Sequence, residues 1–250
     1  MRSLSRPVLD LQRIDLELVT PLVQTPGFVE ATGVAGAVVR RNEIVVIDGP
    51  PGTGKTTAAR HVANECGRPC AVVTIPGRVA PLDLLRLIHL GVTGAQHHGT
   101  RYQMTTDLLR VLTAWGGVLV IDETHNSGVD GLKTIVHLYE GTGRRFAVVL
   151  VGSGVSGVVS QYRNLSTRVL ATVHVKPLGG PPLMAAIKAM DARLAATPDH
   201  VLSRHNQRTC GGNLRRWVKT ITWLDIYQTG GGPVDPALLD DITSLLKDAS

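Results

Sequence analysis

The sequence predicts an α/β fold on a parallel sheet, followed by a small all-α domain. Three observations carry this. Short apolar runs rich in β-branched residues alternate with helix-length stretches between Ile44 and Val175. The first of these runs ends in a glycine-rich turn that opens a helix. After Pro177-Leu178-Gly179-Gly180-Pro181-Pro182 the strand signal stops. Strands separated by helices form βαβ units, and these require parallel strands.

Taken in order, residues 8–20 carry mixed charges at roughly helical spacing and predict an N-terminal helix or arm, interrupted by Pro21 and the Thr25-Pro26-Gly27 step. A helix follows over about Phe28 to Arg41. Ile44-Val45-Val46-Ile47 is a buried strand, β-branched throughout. A helix over about Lys55 to Cys66 is stopped by Gly67-Arg68-Pro69, and Cys70 to Ile75 forms the second strand. Helices are expected near Leu82–Leu90 and Thr105–Trp115, with a mobile loop from Gly91 to Arg101 between them. Val118 to Ile121 is the third strand, Val129 to Tyr139 a helix, and Phe146 to Val151 the fourth strand. A short helix near Val155–Gln161 precedes a fifth strand near Leu170–Val175. Beyond the proline-glycine stretch four helices are expected, over about 183–196, 199–209, 212–228 and 236–247. The chain thus divides into an arm (1–27), an α/β core (28–178) and a helical domain (179–250).

Composition bounds the function. A chain of 250 residues buries about three quarters of its unfolded surface and needs no disulfide or metal staple. Charged residues make up 18% and hydrophobic ones 43%, which excludes an extensively disordered chain. Aromatics are only 4%, so the core must be aliphatic. The net charge of +6 favours polyanions without choosing among them. Cys66, Cys70 and Cys210 form no CxxC pair, so reduced thiols are expected rather than a zinc site. The N-terminus has no apolar core of a signal peptide, and no apolar run approaches the ~20 residues of a membrane span. A cytoplasmic protein without a membrane partner is the expectation.

Gly49-Pro50-Pro51-Gly52-Thr53-Gly54-Lys55-Thr56 fits the phosphate-loop pattern GxxxxGK[ST] in full. Average residue usage yields this pattern in roughly one of a hundred chains of this length. Here a strand precedes it and a helix follows, as the chemistry requires. Glycines let backbone N–H groups converge on phosphate oxygens, and the helix N-terminus adds partial positive charge at the same point. Lys55 reaches the β- and γ-phosphates and the Thr56 hydroxyl ligates magnesium. The nucleotide-contacting set is therefore Gly49, Pro50, Pro51, Gly52, Thr53, Gly54, Lys55 and Thr56, with Thr57 beside them.

Val118-Leu119-Val120-Ile121 runs into Asp122-Glu123. Acids at the C-terminal end of a parallel strand lie where ligands collect in open α/β sheets. Asp122 is expected to hold magnesium. Glu123 is placed to polarise a water for in-line attack on the γ-phosphate, which favours hydrolysis over transfer to a small substrate. The distance between Thr56 and Val118 leaves room for a whole strand and several helices. The Asp-Glu strand is therefore not the one directly after the phosphate-loop helix.

From Phe28 to about Leu246 the sequence resembles the AAA+ ATPases. Within them it is similar to DNA-transposition regulators of the MuB, TnsC and IstB type. The matching stretches are Phe28-Val29-Glu30, IVVIDGPPGTGKTTAAR, VLVIDETH, VVLVGS, NLSTRV and GGNLRR. The resemblance implies a three-layer αβα core with a five-stranded parallel sheet and a small α-helical lid. It implies an ATP- and Mg2+-dependent ATPase. Ser153, after the fourth strand, would sense the γ-phosphate. Arg168, with Arg163 as rival, would act on the γ-phosphate of a neighbouring subunit. Arg215, with Arg216 as rival, would touch nucleotide from the lid. An arginine supplied in trans makes hydrolysis depend on head-to-tail assembly into a ring or helical filament. The resemblance further implies non-specific binding of duplex DNA, with Arg78, Arg101 and Lys133 as candidate contacts, and recruitment of a transposase or other recombination protein. No helix-turn-helix domain precedes Phe28, and the end from Asp235 is acidic, so strong DNA binding without ATP is not expected. The rival readings are a helicase-loader or initiator-like ATPase and a protein-remodelling ATPase without DNA contact. A small-molecule kinase is disfavoured by Glu123 and the helical lid.

Three smaller features complete the reading. His97-His98 point apart and favour a loop over a metal site. His125 stands where it can orient Glu123 or the loop near the γ-phosphate. Trp217 and Trp223, six apart on a helix, are expected in packing or at an interface.

Overall fold

The structure is a computed structural model that describes residues 22–228 and 230–248. The expected arm at residues 8–20 lies outside the described residues. Helix α1 (Pro26–Val39) starts on an N-cap, Thr25, whose hydroxyl accepts from the Phe28 N–H at 3.2 Å. Then follow β1 (Ile44–Asp48), α2 (Lys55–Glu65), β2 (Cys70–Thr74), α3 (Pro81–Thr93), α4 (Arg101–Trp115) and β3 (Val118–Asp122). A short 3₁₀ turn (Thr124–Ser127) leads into α5 (Gly128–Gly141). The core closes with β4 (Ala147–Gly152), α6 (Val155–Gln161), α7 (Arg163–Ser166) and β5 (Val169–His174).

The five strands form one parallel sheet in the order β2-β3-β4-β1-β5. In space it is β4 that separates β1 from β3. Side chains alternate across the sheet with period two. Ile44, Val46, Leu119, Ile121, Val148 and Leu150 point to the face covered by α3, α4 and α5. Val45, Ile47, Val118, Val120, Val149 and Val151 point to the face covered by α1 and α2. With both faces covered, the central strands read as unbroken apolar runs rather than as alternating ones. The result is the three-layer arrangement expected, with every strand's C-terminal end on the same rim.

The loop between α3 and α4 is shorter than expected, because α3 continues to Thr93 and a capping box between Thr100 and Gln103 starts α4 at Arg101. It is also held in place: the His97 ring packs 5.0 Å from the ring of buried His89, which bonds Asp107 at 3.0 Å. Among the described residues no group of three or more His, Cys, Asp or Glu is arranged to hold a metal.

After β5 the chain is helical: α8 (Gly180–Met190), α9 (Ala192–Ala196), α10 (Asp199–His205), a π-type turn (Asn206–Cys210), α11 (Leu214–Tyr227) and α12 (Pro236–Asp248). The single helix expected over 183–196 is split at Asp191, which is extended (φ −155°, ψ 137°) and caps α9. Its carboxylate pairs with Arg193 at 2.6 Å, and Arg193 reaches on to Asp225 of α11. The helix expected over 199–209 ends in the π-type turn. These helices have their own apolar cluster around Leu183, Ile187, Leu202, Trp217, Ile221 and Ile242. Trp217 is fully buried, whereas Trp223 stacks on Tyr227 at 5.8 Å towards the surface.

His205 lies in this cluster, bonded to the hydroxyls of Thr243 and Thr220 at 3.0 Å each. Burial lowers its pKa to about 4. The folded state therefore holds the imidazole neutral, whereas the unfolded chain protonates it near pH 6.5. The stability it contributes is full above about pH 6.5 and is lost as pH falls towards 4. Trp217, 5.1 Å from the His205 ring, reports the change. An acid titration followed by tryptophan fluorescence should show a transition in this window that His205→Gln lacks. An identical titration in both chains would contradict this account.

Candidate nucleotide-binding site

The C-terminal ends of β1, β3 and β4 converge on the loop at residues 49–54. Gly52 (φ 75°) and Gly54 (φ 87°) take left-handed conformations that side chains disfavour. A Cβ on Gly54 would meet nothing within 4 Å, so the loop opens on that side. Gly49 is constrained from the opposite direction, because its Cβ would fall 2.1 Å from the Val175 carbonyl oxygen. The Thr53 hydroxyl and the Lys55 ammonium both donate to the Pro50 carbonyl, at 3.0 and 2.7 Å. Lys55 is buried, and that burial pushes its pKa below the ordinary lysine value; Glu123, Asp122 and Asp48 oppose the shift and Arg215 reinforces it. A buried ammonium ringed by a glycine loop and a helix N-terminus is a seat for a polyanion.

The Thr56 hydroxyl donates to Asp122 Oδ2 at 2.9 Å, joining α2 to the end of β3. A hydroxyl and a buried carboxylate side by side are hard oxygen donors, and two protein ligands suffice for magnesium, which keeps waters and phosphate oxygens in its other positions. The residues present therefore fit that ion.

Glu123 is in the left-handed region (φ 53°), and its N–H bonds Asp122 Oδ1 at 2.9 Å. Its side chain is half-buried at the rim. The segment behind it is fixed. The Thr124 hydroxyl donates to the Ile121 carbonyl and accepts from the Val151 N–H, and Asn126 donates to the Ile75 carbonyl at 3.0 Å. His125 Nδ1 lies 3.4 Å from Glu123 Oε2. Its ring packs so close to β4 that a Cβ on Gly152 would come within 2.9 Å of Nδ1. His125 thus stands between the glutamate and the end of β4, with its buried Nδ1 making no hydrogen bond among the described residues.

Ser153 is half-buried on the rim directly after β4, between Gly152 and the turn that holds Asp48. Asp48 is a residue the sequence reading missed. Burial alone would raise its pKa, but hydrogen bonds from the Ser156 hydroxyl and from the N–H groups of Ser156, Gly49 and Gly154 hold it below the usual carboxylate range. Asp48 thereby clamps the phosphate loop to the β4–α6 turn. Its one sequence signal was an acid closing an otherwise apolar strand.

From the helical side, the Leu214 N–H donates to the Gly52 carbonyl at 3.0 Å and Asn213 Nδ2 to the Pro51 carbonyl at 3.2 Å. Asn213, also not singled out from sequence, caps α11 and seats that helix on the phosphate loop. Arg215 acts electrostatically on Lys55, whereas Arg216 bonds the Thr209 carbonyl at 2.6 Å inside the helical region. Arg216 also lines the cavity beside the phosphate loop, so both arginines stand next to the site. A cavity of about 400 Å³ lined by Pro50, Pro51, Thr53, Pro177, Gly212 and Asn213 lies between the two parts.

Five further candidates stand outside this cluster. Arg168 is tied within its own chain, paired with Glu140 and donating to the Asn164 carbonyl. Its rival Arg163 is exposed, with no side-chain partner among the described residues. Arg101 and Lys133 are exposed on one patch around Asp130, which Lys133 bonds at 2.8 Å and Arg101 stabilises electrostatically. Arg78 is exposed on the loop after β2, and no contact joins it to that pair. Among the described residues no helix is long and apolar enough to cross a membrane.

Residues 39–155, which include the phosphate loop and Asp122-Glu123, match the family described as AAA domain. No curated protein matches the chain. Among solved structures, the RuvB Holliday junction branch migration motor of Thermotoga maritima superposes with a TM-score of 0.59 at 18% identity, covering 90% of this chain and 70% of that one. PCH-2 of C. elegans superposes with a TM-score of 0.56 at 14% identity, covering 89% of this chain and 68% of that one. Sequence match, sheet order and loop geometry agree: the chain has the P-loop AAA+ fold, with an AAA domain at residues 39–155.

Proposed function

We propose that this chain is a magnesium-dependent ATPase that assembles head to tail, grips duplex DNA without sequence preference, and directs a transposase or another recombination protein. The observation that carries the ATPase reading is the junction of Thr56 with Asp122, next in sequence to the half-buried Glu123. Magnesium held by Thr56 and Asp122 would supply charge neutralisation at the phosphates. Lys55 exchanges its contact with the Pro50 carbonyl for phosphate oxygens. Glu123 accepts a proton from the attacking water, with His125 behind it. Ser153 and Arg215 read the terminal phosphate from the sheet and from the helices. In this reading residues 179–250 are a lid over a core of residues 28–178, and the contacts of Asn213 and Leu214 with the phosphate loop couple the two. The thiols of Cys66, Cys70 and Cys210 are unpaired, which suits a cytoplasmic, reducing setting.

The DNA part of the reading rests on the net charge of +6 and on the exposed Arg78, Arg101 and Lys133. With a non-hydrolysable ATP analogue and duplex DNA, electron microscopy should show polymers on the DNA. Assembly that ignores DNA would favour protein remodelling, and particles that stay single with both ligands present would overturn the reading.

A further inference from the structure

The turns at the N-terminal rim of the sheet, opposite the phosphate loop, carry a cluster of arginines that the proposed chemistry does not use. Arg40 and Arg41 precede β1; Arg144 and Arg145 precede β4. These strands are neighbours in register Ile44↔Val148, so the two arginine pairs sit on adjacent turns. All four are exposed, and among the described residues no carboxylate pairs with any of them. The nearest acids are engaged elsewhere: Glu43 accepts from the Tyr139 hydroxyl at 3.0 Å, and Glu140 is paired with Arg168.

The platform beneath is rigid. Arg68 spans three turns, donating to the Val39 carbonyl at 2.9 Å, to Asn42 Oδ1 at 2.6 Å and to the Gly117 carbonyl at 3.0 Å. The Tyr139 hydroxyl also donates to the Asn42 carbonyl at 2.8 Å, and the Arg144 guanidinium lies over the Tyr139 ring at 5.8 Å. Asn42 and Arg144 hold left-handed conformations (φ 57° and 60°) that turn the chain sharply and set the arginines outward.

We infer that this rim is a second polyanion site, which takes the phosphate backbone of duplex nucleic acid independently of ATP. Planar guanidinium forks match phosphate oxygens in pairs. Among the described residues the exposed large apolar side chains, such as Tyr102, Leu170, Ile226 and Tyr227, lie outside these two turns. A protein interface needs apolar or aromatic anchors at its centre, and a membrane contact needs side chains that insert. A rigid patch in which four exposed guanidinium groups outnumber the neighbouring Glu43 and Glu140 suits a polyelectrolyte. The strand length of five residues puts the rim roughly 16 Å from the phosphate loop. Binding here therefore requires neither nucleotide nor a neighbouring subunit. The inference rests on the proposed DNA reading only for its choice of ligand.

The test measures binding of a short labelled DNA duplex by fluorescence anisotropy without nucleotide, from about 50 to about 200 mM salt. The wild type should bind at the low end. The Arg40→Ala/Arg41→Ala/Arg144→Ala/Arg145→Ala variant should lose up to about 100-fold there, with a salt slope shallower by up to about 4, at unchanged DNA-free ATP turnover. An unchanged affinity and slope would overturn the inference, as would competition by polyglutamate or phosphatidylserine vesicles as strong as by unlabelled duplex. The comparison variant Arg78→Ala/Arg101→Ala/Lys133→Ala separates the two readings. If ATP-dependent polymers depend on that set while the rim variant behaves as wild type, the proposed function stands and the rim site falls.

Discussion

Glu123→Gln should bind ATP at least as tightly as the wild type and hydrolyse it about 10² to 10⁴ times more slowly, the range general-base catalysis supplies. The tighter binding follows from charge. Glu123 acts electrostatically on Lys55, so its charge opposes the phosphates that lysine receives. Glutamine keeps the shape and removes both the repulsion and the proton acceptor. Its backbone conformation should persist, because the left-handed turn is held by the Glu123 N–H bond to Asp122 and by the Thr124 bonds to Ile121 and Val151. In the proposed function, polymers formed with ATP would then fail to disassemble. Nucleotide titration and single-turnover hydrolysis decide the matter. Lost ATP binding would show that Glu123 shapes the pocket, and turnover within about 10-fold of wild type would remove it from the base role.

Much of this was legible in the sequence, and the reason is local. The strands were readable because both sheet faces are covered, so Ile44 to Ile47 and Val118 to Ile121 are apolar without a break. The phosphate loop was readable because its conformation is dictated residue by residue, down to glycines at left-handed positions. What was not legible depends on partners distant in sequence. The break at Asp191 is capped locally by Arg193, which is tied in turn to Asp225, thirty-two residues on in another helix. Asp48 resembles a strand-end acid until Gly154 and Ser156 are folded against it, more than a hundred residues away. The identity of the arginine acting in trans is the same kind of question, since the family resemblance alone placed Arg168 ahead of Arg163.

Arg163→Ala should therefore cost far more turnover than Arg168→Ala. An arginine that reaches a neighbour's γ-phosphate must leave its own chain, and one worth about 10³ to 10⁵ in rate cannot be committed elsewhere. Arg168 must first give up Glu140 and the Asn164 carbonyl, whereas Arg163, at the start of the short α7, has nothing among the described residues to surrender. Arg168→Ala removes a partly exposed ion pair, worth about 0 to 1 kcal/mol, and should lower stability slightly. Arg163→Ala should leave ATP binding by the single subunit intact and abolish assembly-dependent hydrolysis. Mixing supplies the decisive reading: Arg163→Ala chains, inactive alone, should regain turnover with Glu123→Gln chains, because each then contributes the half of the site the other lacks. Full loss in Arg168→Ala with normal turnover in Arg163→Ala would reverse the assignment and mean that the Glu140 pair opens on assembly.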